Sequence, residues 1–75
     1  MTALEIAFRY GRPPGINEVR AIDALREVYG IRRIRFDEQE HVVRVEYDAT
    51  RLSETTVAAL LRRAGIDLQD KLVLA

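Results

Sequence analysis

The segment running from Gly11 to Asn17, Gly-Arg-Pro-Pro-Gly-Ile-Asn, has the residue types and spacing best suited to binding a ligand. Free amides at a helix N-terminus bind anions, and Arg12 adds a guanidinium that can bind a carboxylate or phosphate through two hydrogen bonds. The segment contains no cysteine, histidine or carboxylate, and no Lys-Ser/Thr pair follows it, so it is not a phosphate-binding P-loop. The simpler interpretation is a stiff connection, because two adjacent prolines restrict the backbone.

Metal and catalytic chemistry have little support elsewhere in the chain. His41, the single histidine, stands beside Glu38 and Glu40 in a polar stretch. A zinc site needs about three protein ligands, so we expect a solvated turn there and no metal. The chain has no cysteine, which excludes disulfides and thiolate sites. Ser53 is better explained as a helix cap than as a nucleophile. We therefore expect no enzymatic activity and no cofactor.

The elements that must position these residues follow from hydrophobic periodicity. A first strand alternates Leu4, Ile6, Phe8 and Tyr10 with polar or small residues. An amphipathic helix then carries apolar residues at Val19, Ile22, Leu25, Val28 and Tyr29. Asn17 is its expected N-cap and Gly30 its expected C′ residue.

The second half of the chain predicts a hairpin, a helix and a last strand. The hairpin strands have apolar residues at 31, 34 and 36 and at 43, 45 and 47, with a polar tip at 37–41. The helix begins after Ser53 and ends at Gly65. The last, short strand draws on Ile66 and Leu68 and then on Leu72, Val73 and Leu74.

The order of elements is βαββαβ, within one domain spanning residues 1–75. Right-handed crossovers predict an α+β, ferredoxin-like sandwich. Its four-stranded antiparallel sheet has the order 4-1-3-2, and both helices cover one face. The other face should carry Glu5, Arg9, Arg33, Arg35, Arg44 and Glu46. Arginine–glutamate pairs across strands are the expected outcome there, and partner binding through this face is the rival hypothesis.

Charge and hydropathy exclude several classes of partner. Twelve basic and twelve acidic residues give a formal net charge of zero, so no overall field attracts nucleic acid. The outer sheet face also lacks the aromatic side chains on which RNA bases stack. No apolar run approaches the roughly 20 residues of a membrane span, and the N-terminus lacks a signal-peptide pattern. We expect a cytoplasmic protein.

Three segments resemble the heavy-metal-associated domains of copper chaperones and metal-transporting ATPases. They are Gly30-Ile31 through Phe36, Val43 through Asp48 (Val-Arg-Val-Glu-Tyr-Asp), and the helix end Arg63-Ala64-Gly65-Ile66. The resemblance covers nearly the whole chain and implies the same βαββαβ fold. It fails at the loop, where Arg12 replaces the family's methionine and where Pro14 and Asn17 replace its two cysteines. Because neither residue supplies a thiolate, soft-metal ligation is not carried over.

This resemblance implies a small non-enzymatic binding module that has lost soft-metal ligation, with a role in protein interaction or accessory to metal transport. Family members dock partners near the loop and first helix, so the expected partner-binding residues are Arg12, Pro13, Pro14, Ile16, Asn17 and Arg20. Two alternatives stay open. One is an atypical metal-binding or transport domain. The other is an ACT-like regulatory module, because Arg-Pro-Pro-Gly-Ile after a first strand is also similar to those small-molecule-binding domains. That alternative implies that this chain forms a homodimer.

Overall fold

The computed structural model describes residues 3–72, which fold into an α+β unit with one antiparallel sheet. The elements are β1 (Ala3–Tyr10), α1 (Ile16–Leu25), β2 (Ile31–Asp37), β3 (Val42–Asp48), α2 (Glu54–Arg63) and β4 (Leu68–Leu72). Adjacent strands pair antiparallel, which confirms the predicted class and the four-stranded sheet. The strand order is β2-β3-β1-β4, or β4-β1-β3-β2 counted from the other edge. Val73 and Leu74, expected in the last strand, lie outside the described residues.

A single apolar cluster joins the sheet to both helices. Alternate residues of β1 and β3 enter it, as do Ile22 from α1 and Val57 and Leu61 from α2. Because successive strand residues point to opposite faces, this shared cluster places both helices over the same face of the sheet. Leu4 was expected in this core, but it is the second residue of β1, near the start of the strand, and is 47% exposed.

The start of α1 differs from the prediction. The N-cap is Gly15, not Asn17, and Ile16 is already the first helical residue. The reason is Glu18, whose carboxylate reaches back and accepts a hydrogen bond from the Gly15 amide at 2.9 Å. This is one of the two hydrogen bonds of a capping box; glycine has no side chain to form the other. The bond places the start of the helix two residues earlier than expected. Asn17 is therefore an exposed helical residue.

The end of α1 is also earlier than the periodicity predicts. The helix stops at Leu25, and the amides of Glu27 and Val28 bond three residues back, to Ala24 O and Leu25 O. Such tight turns replace the last helical turn, so Tyr29 is 73% exposed instead of buried. Gly30 has φ +104° as expected of a left-handed residue, but it leads from this turn into β2.

The boundaries of α2 agree with the sequence. Ser53 is the N-cap, and its hydroxyl accepts a hydrogen bond from the Thr56 amide at 3.2 Å. Gly65 follows the helix with φ +97°. A Cβ at Gly65 would lie 3.0 Å from Cγ of Glu18, so this glycine also lets the start of α1 approach the end of α2.

Candidate functional site

Three connections meet at one end of the sheet, and we call this the loop end. They are the segment between β1 and α1 (11–15), the hairpin tip (38–41) and the link between α2 and β4 (64–67). Backbone hydrogen bonds join them: the Tyr10 amide donates to His41 O at 2.9 Å, and the Gly11 amide donates to Asp67 O at 3.0 Å. The segment predicted to carry function is therefore attached to both of its neighbours.

Two carboxylates hold this segment in place. Asp67 Oδ2 accepts a hydrogen bond from the Arg12 amide at 3.2 Å, and Glu18 Oε1 accepts one from the Gly15 amide. A Cβ at Gly11 would lie 2.6 Å from Asp67 Oδ2, so a larger residue here would displace the Asp67 carboxylate. Two amides of the segment, those of Arg12 and Gly15, therefore already bind the protein's own carboxylates. These carboxylates would compete with and repel an external anion, which weighs against the anion nest suggested by the sequence.

Most of the predicted partner-binding residues at the loop end are exposed. Of the six predicted partner-binding residues, five are exposed and Pro14 is half-buried. Ile16 is 70% exposed, which is unusual for an aliphatic residue at the start of a packed helix. Arg20 lies one helical turn beyond Ile16, on the same side. We call the six the loop-end surface: Arg12, Pro13, Pro14, Ile16, Asn17 and Arg20.

The two arginines of the loop-end surface have no carboxylate partner among residues 3–72. The nearest acids in sequence are already engaged. Glu18 bonds to the Gly15 amide, and Asp23 pairs with Arg26. The loop-end surface therefore combines a backbone that is held by hydrogen bonds, an exposed Ile16 and two guanidinium groups without a carboxylate partner among residues 3–72.

The hairpin tip serves the fold. His41 is half-buried, its ring stacks on Tyr10 with centroids 5.3 Å apart, and its φ is +54°. Burial of the Tyr10 ring, together with the charges of Glu38 and Asp37, raises the pKa of its hydroxyl. Within residues 3–72, no three His, Cys, Asp or Glu side chains are grouped closely enough to hold a metal ion.

The outer face of the sheet, opposite the helices, carries the expected arginine–glutamate pairs with one change. Glu5 lies between Arg35 (3.8 Å) and Arg44 (3.5 Å). Glu46 pairs at 3.2 Å with Arg32, although Arg33 is its partner in the strand register, which shifts between Ile31 and Arg33. These arginines are neutralised within the molecule.

The motif Tyr47-Asp48, which carried part of the family resemblance, has a structural role. Asp48 is buried at the end of β3 and accepts hydrogen bonds from the hydroxyl (2.6 Å) and the amide (3.0 Å) of Thr50. These bonds lower the pKa of its carboxyl below the ordinary value of 3.8. Asp48 therefore fixes the turn that leads into α2.

Comparisons with protein-family models, with curated proteins and with solved structures find no match. Across residues 3–72, neither helix has the length and apolar character needed to cross a bilayer.

Proposed function

We propose that this chain is a non-enzymatic binding module with a ferredoxin-like fold, and that it recognises a protein partner through the loop-end surface. The observation that carries this proposal is the exposed Ile16 on a surface that also holds Arg12 and Arg20, two exposed arginines with no carboxylate partner within residues 3–72. Arginine and large apolar side chains supply much of the binding energy at protein interfaces. A backbone already held by Asp67 and Glu18 loses little entropy when the partner binds.

A site-specific photo-crosslinker at position 16 tests this proposal. The reference is the same crosslinker at Ala59, which is exposed on α2. The proteins captured at position 16 in an extract of the source cells are identified by mass spectrometry, purified and titrated against the chain by calorimetry. The double variant Arg12→Glu/Arg20→Glu should weaken that purified interaction at least about tenfold, since both charges next to the apolar anchor are reversed.

The matched control is Arg62→Glu/Arg63→Glu, which reverses two exposed arginines at the end of α2. This control should bind the purified partner within about twofold of the parent chain, because a charge outside the interface has little effect. Identical products at positions 16 and 59, or equal weakening by both double variants, would contradict the proposal.

A further inference from the structure

A second surface, separate from the loop-end surface, lies along the free edge of β2. Gly30 O accepts a hydrogen bond from the Asp48 amide at 2.7 Å, so residue 30 faces β3. The register shift at 31–33 changes the alternation by one residue. The N–H and C=O groups of Ile34 and Phe36 therefore point away from the sheet. Consistent with this, Ile34 O accepts a hydrogen bond from the Arg26 guanidinium at 3.1 Å.

Beside this edge lies one flank of α1. Val19, Asp23 and Arg26 are spaced i, i+4, i+7 and share a side of the helix. Since Arg26 contacts the carbonyl of Ile34, this side borders β2. Val19 lies about 10 Å from Arg26 toward the helix N-terminus and is 46% exposed. A strand added to β2 would cover Val19 with the side chains that it directs toward the helices.

On the face of the sheet opposite the helices, the β2 edge carries exposed basic side chains. Arg33 and Arg35 are exposed and alternate with Ile34 and Phe36. Arg33 has no carboxylate partner within residues 3–72, and Arg35 shares Glu5 with Arg44 at a long 3.8 Å. A neighbouring strand would therefore meet positive charge on its outer face and apolar surface on its inner face.

This charge pattern disfavours two of the registers in which a second copy of the chain could pair with β2. Antiparallel pairing about Ile34 would place Arg33 opposite Arg35, and pairing about Arg35 would place that residue opposite itself, whereas pairing about Phe36 would set Arg35 opposite Asp37. Like charges directly opposite each other destabilise a strand pair, and charged edges are a known means of preventing self-association.

We infer that the β2 edge binds an extended segment of a partner protein in which acidic residues alternate with apolar residues. The segment's backbone bonds to the free groups of Ile34 and Phe36, replacing the Arg26 guanidinium at Ile34 O. Its acidic side chains pair with Arg33 and Arg35, and its apolar side chains pack against Val19. Backbone pairing supplies affinity, and the alternation selects the partner.

The test uses a soluble seven-residue peptide in which valine alternates with glutamate, titrated into the ¹⁵N-labelled chain. The expected result is saturable shifts of the amide signals of Ile34 and Phe36. We expect binding to weaken at least about tenfold in Arg33→Glu/Arg35→Glu, because attractive pairs become repulsive. The variant Arg12→Glu/Arg20→Glu should retain the parent affinity within about twofold, which separates this edge from the loop-end surface.

Two matched peptides complete the experiment. Replacing every glutamate by lysine should abolish binding to the parent chain, while N-methylation of the amides that face β2 should abolish it without changing the charge. No shift of Ile34 and Phe36 at millimolar peptide, equal binding of the lysine peptide, or unchanged binding after N-methylation would each overturn the inference.

Discussion

The loop end and the outer face of the sheet contain the same two residue types, arginine and acidic residues, in opposite arrangements. On the outer face, Glu5 and Glu46 bind the guanidinium groups of Arg32, Arg35 and Arg44, so these three arginines are paired. At the loop end, Glu18 and Asp67 bind backbone amides, and Arg12 and Arg20 have no carboxylate partner among residues 3–72. The position of the carboxylates, more than the number of arginines, decides which arginines are available for binding.

The largest effect should come from removing a carboxylate that holds the loop end. Glu18→Ala deletes the acceptor of the Gly15 amide and the methylene next to Gly65. Loss of such a cap typically costs about 1 kcal/mol of unfolding free energy, or roughly 4–8 °C in Tm for a domain of this size. Thermal and urea unfolding, followed by circular dichroism, measure the loss.

Glu18→Gln is the matched variant, because the amide oxygen keeps the acceptor and the shape but removes the charge. Its loss should be smaller, about 0.3–1 kcal/mol from the helix dipole alone. If both variants unfold at the same temperature as the parent chain, Glu18 does not hold the loop end and the comparison fails.

A smaller effect is expected on the outer face. Glu5→Ala leaves Arg35 directly opposite Arg44 with their shared carboxylate removed. Exposed pairs of this kind contribute about 0.2–1 kcal/mol in total, and repulsion between the two guanidiniums adds to the loss. Denaturant midpoints at low and high salt measure the change.

Glu46→Ala provides the reference on the same face, because it removes a carboxylate that pairs with Arg32. Glu5→Ala should cost more than Glu46→Ala at low salt, and the difference should shrink in 1 M NaCl as the repulsion is screened. An equal cost at both salt concentrations would show that the carboxylates of the outer face act through packing, not through charge.

Much of the fold could be predicted because local signals agreed with it. The cap at Ser53, the left-handed glycines 30 and 65 and the alternation in β1 and β3 each specify one backbone geometry. The errors arose where two signals competed. Asn17 is a good cap in isolation, but Glu18 caps Gly15 from inside the helix, and the helix begins two residues earlier.

The candidate site was less predictable, because its properties depend on contacts distant in sequence. Arg12 and Asp67 are separated by 55 residues, so the hydrogen bond between the Arg12 amide and Asp67 could not be inferred from the loop itself. The pairing of Arg32 with Glu46 depends on a register shift that hydrophobic alternation does not encode. The sequence predicts the loop and first helix as the candidate surface, and tertiary contacts decide which of its groups are already engaged.

The smallest effect on stability should come from the arginines of the loop-end surface. Arg12→Ala and Arg20→Ala remove exposed side chains that have no carboxylate partner in residues 3–72. Surface changes of this kind usually alter the unfolding free energy by less than about 0.5 kcal/mol. Arg44→Ala, whose guanidinium pairs with Glu5 at 3.5 Å, should cost more in the same urea titration.

If Arg12→Ala or Arg20→Ala lowers the unfolding free energy by more than about 1 kcal/mol, that arginine stabilises the fold and is not available for a partner. If both are neutral while partner affinity falls, the unpaired charge serves recognition, which is what distinguishes the two regions.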